Sequence, residues 1–351
     1  MTERAVLLAN LGSPAAPTEA AVRPYLDQFL MDPYVIQLPW ILRRLIVSAL
    51  VLPMRPKASA EAYASVWTDE GSPLLALSRR LREALGQLLD MPVAMAMRYG
   101  QPDIESQLLK LAAEPGIGEV LYIPLYPHYA DSTVTTSVVA ARRVIHDHRL
   151  KISLSVLAPF YDHPAYISAL VAGARPCIDQ ATREYGSLDS GATHILFSYH
   201  GLPESHLRKA DPTGRHCLQL PDCCERPSPA HARCYRHQVL RTTACFAQQA
   251  GLAPQHYSHA YQSRLGRAKW LEPSTEDSLR ELAGKGVRKL LVLCPAFVTD
   301  CLETLEEIQI RGRDIFMEAG GEDLELIPCL NHQPQWLQVL ANWCRSTPPG
   351  Q

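Results

Sequence analysis

The stretch His194-Ile195-Leu196-Phe197-Ser198-Tyr199-His200-Gly201-Leu202-Pro203 joins a short apolar run to a turn that carries ionisable and aromatic side chains. Its apolar part is largely continuous rather than alternating, as expected of a strand buried on both faces. Working outward, similar runs recur at Ala5–Leu11, Val93–Arg98, Val120–Pro124 and Ile152–Ala158, and again at Tyr257–Tyr261, Lys289–Leu293 and Glu325–Pro328. Between them, segments such as Pro73–Leu89 and Asp103–Ala113 carry helical spacing. The pattern predicts an α/β protein with parallel sheets. The two sets of four strands predict two similar lobes, 1–158 and 159–330, with a boundary near Pro159–Pro164. The last helical pattern, Trp336–Cys344 within 331–351, has no strand after it and is expected to pack back on a lobe.

The chain has 351 residues, 47% hydrophobic and 20% charged, enough apolar content for an ordinary soluble core. A net charge of −2 argues against a dedicated nucleic-acid binder. The apolar stretch Ala5–Ala9 is too short for a secretory signal. No window reaches the ~18 uninterrupted apolar residues of a membrane span. The nearest, Val35–Met54, is split by Arg43 and Arg44. The expectation is a cytoplasmic protein whose ten cysteines are mostly reduced. Cys217, Cys223, Cys224 and Cys234 fall in one short polar segment, which reads as a metal site before it reads as disulfides.

The turns after the predicted strands are Gly12-Ser13-Pro14, Tyr99-Gly100, Tyr126-Pro127-His128-Tyr129, Tyr199-His200-Gly201-Leu202-Pro203, Gln262-Ser263-Arg264 and Cys294-Pro295-Ala296-Phe297. Ligands bind open α/β sheets at the carboxyl ends of the strands. Aromatic, His and Arg side chains gathered there suggest a large, flat, partly apolar ligand, expected in a cleft between the lobes. Gly and Pro alone would only punctuate strand ends. His200 has a side chain able to take a proton near neutral pH, although a His at a strand end also suits a structural role. Glu303 and Glu307, at i and i+4, share a helix face, where a proton or passing cation would relieve their repulsion. Asp300 with Glu303 equally fits a capping box.

Asn10-Leu11-Gly12-Ser13-Pro14, Arg98-Tyr99-Gly100, Pro124-Leu125-Tyr126-Pro127, Ser198-Tyr199-His200-Gly201-Leu202-Pro203, Gln262-Ser263-Arg264 and Asp300-Cys301-Leu302-Glu303-Thr304-Leu305-Glu306-Glu307 together resemble the ordered motifs of the ferrochelatase family. Pro328-Cys329-Leu330-Asn331 also fits, so the resemblance spans nearly the whole chain. It implies two Rossmann-like, chelatase-like lobes, each with a four-stranded parallel sheet flanked by helices. It also implies insertion of Fe²⁺ into protoporphyrin IX, the terminal step of haem biosynthesis. His200 then matches the pocket base, and Glu303 and Glu307 match the acidic path. His200 and Glu303 become the side chains that meet the incoming Fe²⁺. Arg55, Tyr99, Tyr126, Ser132, Gln262, Ser263, Trp270 and Phe297 become candidates for porphyrin contact. The chemistry supplies a reason for a base. Two pyrrole N–H protons must leave as the metal enters, and a flat ring hides its lone pairs unless binding bends it.

By resemblance, the cysteine segment, 211–236, is the insertion that holds a [2Fe–2S] cluster through four cysteines, with zinc as the alternative. The region around Met31, Trp40, Ile41 and Leu45 matches a cleft lip able to touch a membrane, which extends the localisation to peripheral attachment at the inner membrane. An amphipathic core helix is the competing reading. Monomer and homodimer both remain open. The rival functions are a coproporphyrin III ferrochelatase or cobalt chelatase, and a tetrapyrrole or metal carrier without turnover.

Overall fold

The computed structural model describes residues 3–264 and 268–347; the remaining positions, including the last four of the terminal segment, lie outside the described residues. Two four-stranded parallel sheets are present. The first contains β1 (Glu3–Gly12), β2 (Val93–Tyr99), β3 (Ile117–Pro124) and β4 (Ser153–Val156), in the order β2-β1-β3-β4. The second contains β5 (Thr193–His200), β6 (Tyr257–Gln262), β7 (Lys289–Leu293) and β8 (Asp323–Leu326), in the order β6-β5-β7-β8. The shared order makes the two sheets topologically equivalent, as the two sets of apolar runs predict.

Burial explains the continuous apolar runs. Ala5 through Ala9 of β1 are at most 1% exposed, because both faces of the sheet are covered. In the second sheet, Leu196, Ala260, Leu290 and Val292 pack with Leu279, Ile308 and Phe316 in one core cluster. Strand ends differ from expectation by one to three residues, except in β7, and two of the differences bear on the site and the sheet. His200 is the last residue of β5 rather than part of the following turn, and β8 begins at Asp323. Both shifts add polar residues. In β8 the reason is visible: buried Lys289 on β7 reaches Asp323 at 2.6 Å and Glu325 at 2.7 Å. In the first sheet the ion pair lies instead between β1 and β3, from Arg4 to Glu119 at 3.0 Å.

The chain divides into two compact units. One comprises Met1–Tyr126, Ala130–Ala158 and Asn331–Gln351, and the other Pro127–Tyr129 and Pro159–Leu330. In the first unit the helix Pro334–Ser346 buries Trp336 completely. Arg4 Nη1 donates to the carbonyls of Cys344 and Thr347, at 3.2 and 2.7 Å, tying this helix to β1.

Where β1 ends, Gly12 pairs in register with Tyr99 of β2 and holds φ at +112°. A Cβ there would lie 1.8 Å from the Tyr99 carbonyl oxygen. No side chain fits without parting the two strands. Gly12→Ala should therefore destabilise the protein by about 3 kcal/mol or more. Urea unfolding of the variant beside the wild type measures it, and a loss below 1 kcal/mol would contradict this placement.

Candidate active site

Parallel register brings the chemistry of the second unit together. His200 closes β5 directly opposite Gln262, the last residue of β6. His200 Nδ1 lies 2.6 Å from the Gly201 carbonyl oxygen. A carbonyl only accepts, so Nδ1 carries the proton and the Nε2 lone pair is left available as a base. The His200 carbonyl is itself held by the Tyr235 hydroxyl at 2.8 Å. Phe297 packs edge-on to the imidazole at 6.4 Å between ring centres. Gly201 donates to the Gln262 carbonyl at 2.7 Å. A Cβ at Gly201 would meet that oxygen at 2.9 Å and Trp270 Cε3 at 3.2 Å, so the turn needs glycine and Trp270 packs against it.

Glu303 lies in the short helical turn Leu302–Thr304, which continues as the π-helix Leu305–Gly312 carrying Glu306, Glu307 and Arg311. The predicted capping box between Asp300 and Glu303 does not form. Cys301 is the N-cap, and its N–H donates to Thr304 Oγ1 at 3.0 Å. Asp300 instead accepts from Thr304 Oγ1 at 3.0 Å and from the Cys329 N–H at 3.3 Å. The Cys301 thiol hydrogen-bonds Glu303; burial, and then the Glu303 charge, keep that thiol protonated.

Gln262 and Ser263 fix this acidic turn. Gln262 is 2% exposed; its Nε2 donates to the Glu303 carbonyl at 2.7 Å, and its Oε1 accepts from Ser198 Oγ at 2.6 Å. Ser263 adopts φ +64°, uncommon for a residue with a side chain. From there its N–H donates to Glu307 Oε1 at 2.8 Å, and its hydroxyl donates to Oε2. Burial raises the Glu307 carboxyl above the usual range, and the Glu303 charge adds to this, against Ser263, His200 and Arg311. The polar groups of Gln262 and Ser263, candidates for porphyrin contact, are thus occupied in holding the acids.

The remaining candidates lie in the first unit. Tyr99 is fully buried and donates to Asp32 Oδ2 at 2.9 Å, so it supports Arg98, which reaches the same oxygen at 2.6 Å. Arg98, Asp32, Arg44 and Met31 line a cavity of about 490 Å³. Tyr126 is buried, and its hydroxyl has no hydrogen-bond partner among the described residues. Ser132 sits in the π-turn Asp131–Thr135, and exposed Arg55 begins the helix Arg55–Val66.

The four clustered cysteines are buried and free of disulfides. The thiols of Cys224 and Cys217 both hydrogen-bond Cys234; that contact, Cys224 first, lowers the Cys234 thiol to about 6. The Leu218 N–H points at Cys223 Sγ at 3.4 Å. His216 and His231 hold the Cys223 carbonyl at 2.7 and 3.1 Å, and His237 holds that of Cys224 at 2.8 Å. Among the described residues, no three or more His, Cys, Asp or Glu side chains are arranged to hold one metal ion. A single zinc needs four donors aimed at one point. A [2Fe–2S] cluster divides four thiolates between two irons. Four buried thiols, with those of Cys217 and Cys224 against Cys234, are soft donors of the kind that either centre takes.

The family model for ferrochelatase matches residues 3–347. The chain is 57% identical over 350 residues to the ferrochelatase of Ectopseudomonas mendocina (strain ymp), covering 99% of each. The chain belongs to the ferrochelatase family. Ferrochelatase of Azotobacter vinelandii is 56% identical over 348 residues, again covering 99% of each chain. Among solved structures, the sirohydrochlorin chelatase SirB of Bacillus subtilis subspecies spizizenii, in complex with cobalt, matches with a TM-score of 0.54 at 10% identity. That match covers 98% of this chain and 95% of that one, and it shows a shared chelatase fold. As a ferrochelatase the protein is a lyase that takes Fe²⁺ as its metal substrate.

Sequence reading missed three supporting groups of this ferrochelatase: Tyr235 on the His200 carbonyl, the Cys301 thiol on Glu303, and Arg311. Only Arg311, four residues beyond Glu307, had a legible spacing. Gln262→Ala removes the bridge between Ser198 and the Glu303 carbonyl and should cost about 2–4 kcal/mol in stability. Turnover of the folded variant should fall as well. A melting curve with a single-temperature rate checks both, and unchanged values for each would remove Gln262 from the support of the acids.

Proposed function

We propose that the chain inserts Fe²⁺ into protoporphyrin IX, with His200 as the base and Glu303 and Glu307 passing protons away from it. The observation that carries this reading is the fixed tautomer of His200, whose Nε2 is left as an acceptor by the Nδ1 bond to Gly201. A pyrrole N–H breaks, its proton moves to Nε2, and the nitrogen lone pair goes to iron; repeating the step releases two protons for each Fe²⁺ bound. Glu307, whose carboxyl is raised by burial, suits temporary proton storage more than an ordinary exposed glutamate does. Fe²⁺ meets His200 and Glu303 on its way to the ring. Trp270 and Phe297, packed beside the His200 turn, supply apolar surface for the macrocycle.

The test is anaerobic mixing with Fe²⁺ and free-base porphyrin, followed by absorption. Catalytic turnover is expected, fastest with protoporphyrin IX and Fe²⁺. Faster reaction with coproporphyrin III or Co²⁺ would select one of the rival chelatases, and stoichiometric binding without turnover would select a carrier. His200→Ala should lower turnover by ~10²–10⁴-fold while porphyrin still binds. Near-normal turnover in that variant would sink the base assignment.

Cys217, Cys223, Cys224 and Cys234 are the residues that would hold a [2Fe–2S] cluster. Bound there, the group supplies cross-linking of a polar loop that has little apolar surface of its own. Protein purified without air is expected to be reddish-brown, with iron and acid-labile sulfide in equal amounts. Cys234→Ser should bleach it, whereas Cys177→Ser and Cys344→Ser should not. Colourless protein with one tightly bound zinc would replace the cluster with a zinc site.

A cytoplasmic protein with peripheral contact at the inner membrane is supported by the exposed side chains of Trp40, Ile41, Leu45 and Met54, which are 62–73% exposed. Among the described residues, no helix is long and apolar enough to cross a membrane.

A further inference from the structure

The row of acids beside His200 ends in a cation. Arg311 Nη2 lies 3.5 Å from Glu306 Oε2 and 3.8 Å from Glu307 Oε1, and Nη1 lies 3.3 Å from Glu276 Oε1 on the helix Thr275–Gly284. Arg311 is the most open of the group on this π-helix: its side chain is 46% exposed, against 19% for Glu306 and 15% for Glu307. The guanidinium therefore stands between the two inner carboxylates and solvent. A divalent cation entering from that side would have to displace a permanently charged group that three carboxylates hold.

The acid behind it is also poorly disposed to bind metal. Both Glu307 oxygens already accept hydrogen bonds from Ser263, one from its N–H and one from its hydroxyl, and Arg311 faces Oε1 as well. Ser263 holds this position in a left-handed backbone conformation, so the arrangement persists only because the surrounding structure determines it. A proton needs one lone pair and no coordination shell, whereas a transition metal needs several free donors arranged around a point. No such arrangement is present among the described residues.

We propose that Arg311 is a specificity-determining residue that closes the outer end of the Glu303–Glu307 row to divalent cations. The row then carries pyrrole protons outward to water, and Fe²⁺ meets His200 and Glu303 without entering past Arg311 and Glu307. This inference rests on the chelatase reading for its purpose, while the charge arrangement stands apart from it. Two protons leave for each Fe²⁺ inserted, so charge balances with no oxidant or reductant.

The test uses the full chain with Mn²⁺ as a paramagnetic probe of cation binding, and Fe²⁺ as substrate. Wild type and Glu307→Gln should bind Mn²⁺ alike, within about twofold. Arg311→Glu should gain about one equivalent of bound Mn²⁺, lost again when Glu307→Gln is added, and its turnover should become sensitive to millimolar Mg²⁺. In Glu307→Gln, kcat should fall about tenfold or more while KM for Fe²⁺ stays within about twofold. Wild-type Mn²⁺ binding that depends on Glu307 would overturn the proposal, as would an Arg311→Glu variant that binds no more Mn²⁺ than wild type. A KM for Fe²⁺ that rises severalfold at constant kcat in Glu307→Gln would overturn it too. Should Glu307→Gln not fold, the comparison of Mn²⁺ binding between Arg311→Glu and wild type decides the proposal by itself. Absence of any wild-type turnover would count against the chelatase reading, and the Mn²⁺ measurements would still decide the role of Arg311.

Discussion

The amide of Gln262 is the point on which the second unit's chemistry depends. Its oxygen accepts from Ser198 on β5 and faces Cys294 Sγ just beyond β7, at 3.7 Å, while its nitrogen donates to the Glu303 carbonyl. One buried side chain thus satisfies groups from two strand ends and from the acidic turn. A buried amide with every partner in place costs little, but an unmatched one costs the desolvation of each group. The geometry of His200 relative to Glu303 and Glu307 is consequently set by backbone pairing and one amide, and not by the acids themselves, which repel each other.

A second chain of contacts reaches His200 from the cysteine loop. Cys234 caps the helix Tyr235–Ala250, and Tyr235, the next residue, holds the His200 carbonyl. Tyr235 is buried, and burial lifts its hydroxyl well above the usual range, so it stays a donor. His128 packs against the same ring; burial pushes its imidazole down to about 3, so it remains neutral. The loop that carries the four thiols and the residue proposed as the base are therefore joined through a single peptide unit and one hydrogen bond. Order in the loop bears on the seating of the imidazole without any electron transfer.

Much of this was legible in the residues, for identifiable reasons. Strands covered on both faces leave long apolar runs, and Ala5–Leu11 and Lys289–Leu293 stood out accordingly. The turn residues after them pointed to a site because parallel sheets present their carboxyl ends together. Roles were harder to read. Gln262 and Ser263 look like ligand contacts in sequence because they are polar and follow a strand, yet their hydrogen bonds go to Glu303 and Glu307. Tyr99 is a candidate for porphyrin contact by resemblance, and packing turns its hydroxyl toward Asp32, a partner 67 positions away in the chain. The π-helical turn of Leu305–Gly312 leaves no periodic signature over so short a span, so an ordinary helix was the natural expectation.

The helix Pro334–Ser346 belongs with β1, whose Arg4 precedes Cys344 by 340 positions. Arg4 on β1 waits for carbonyls contributed by Cys344 and Thr347. A ribosome releases residues in order, and units generally fold as soon as they are whole. Here the second unit, ending at Leu330, is whole before the first, which lacks the helix Pro334–Ser346 until that later segment has been made. The half of the protein that is synthesised first is thus the half that finishes folding last. Until then the site for Trp336 stands open, an apolar surface carried by the unfinished chain.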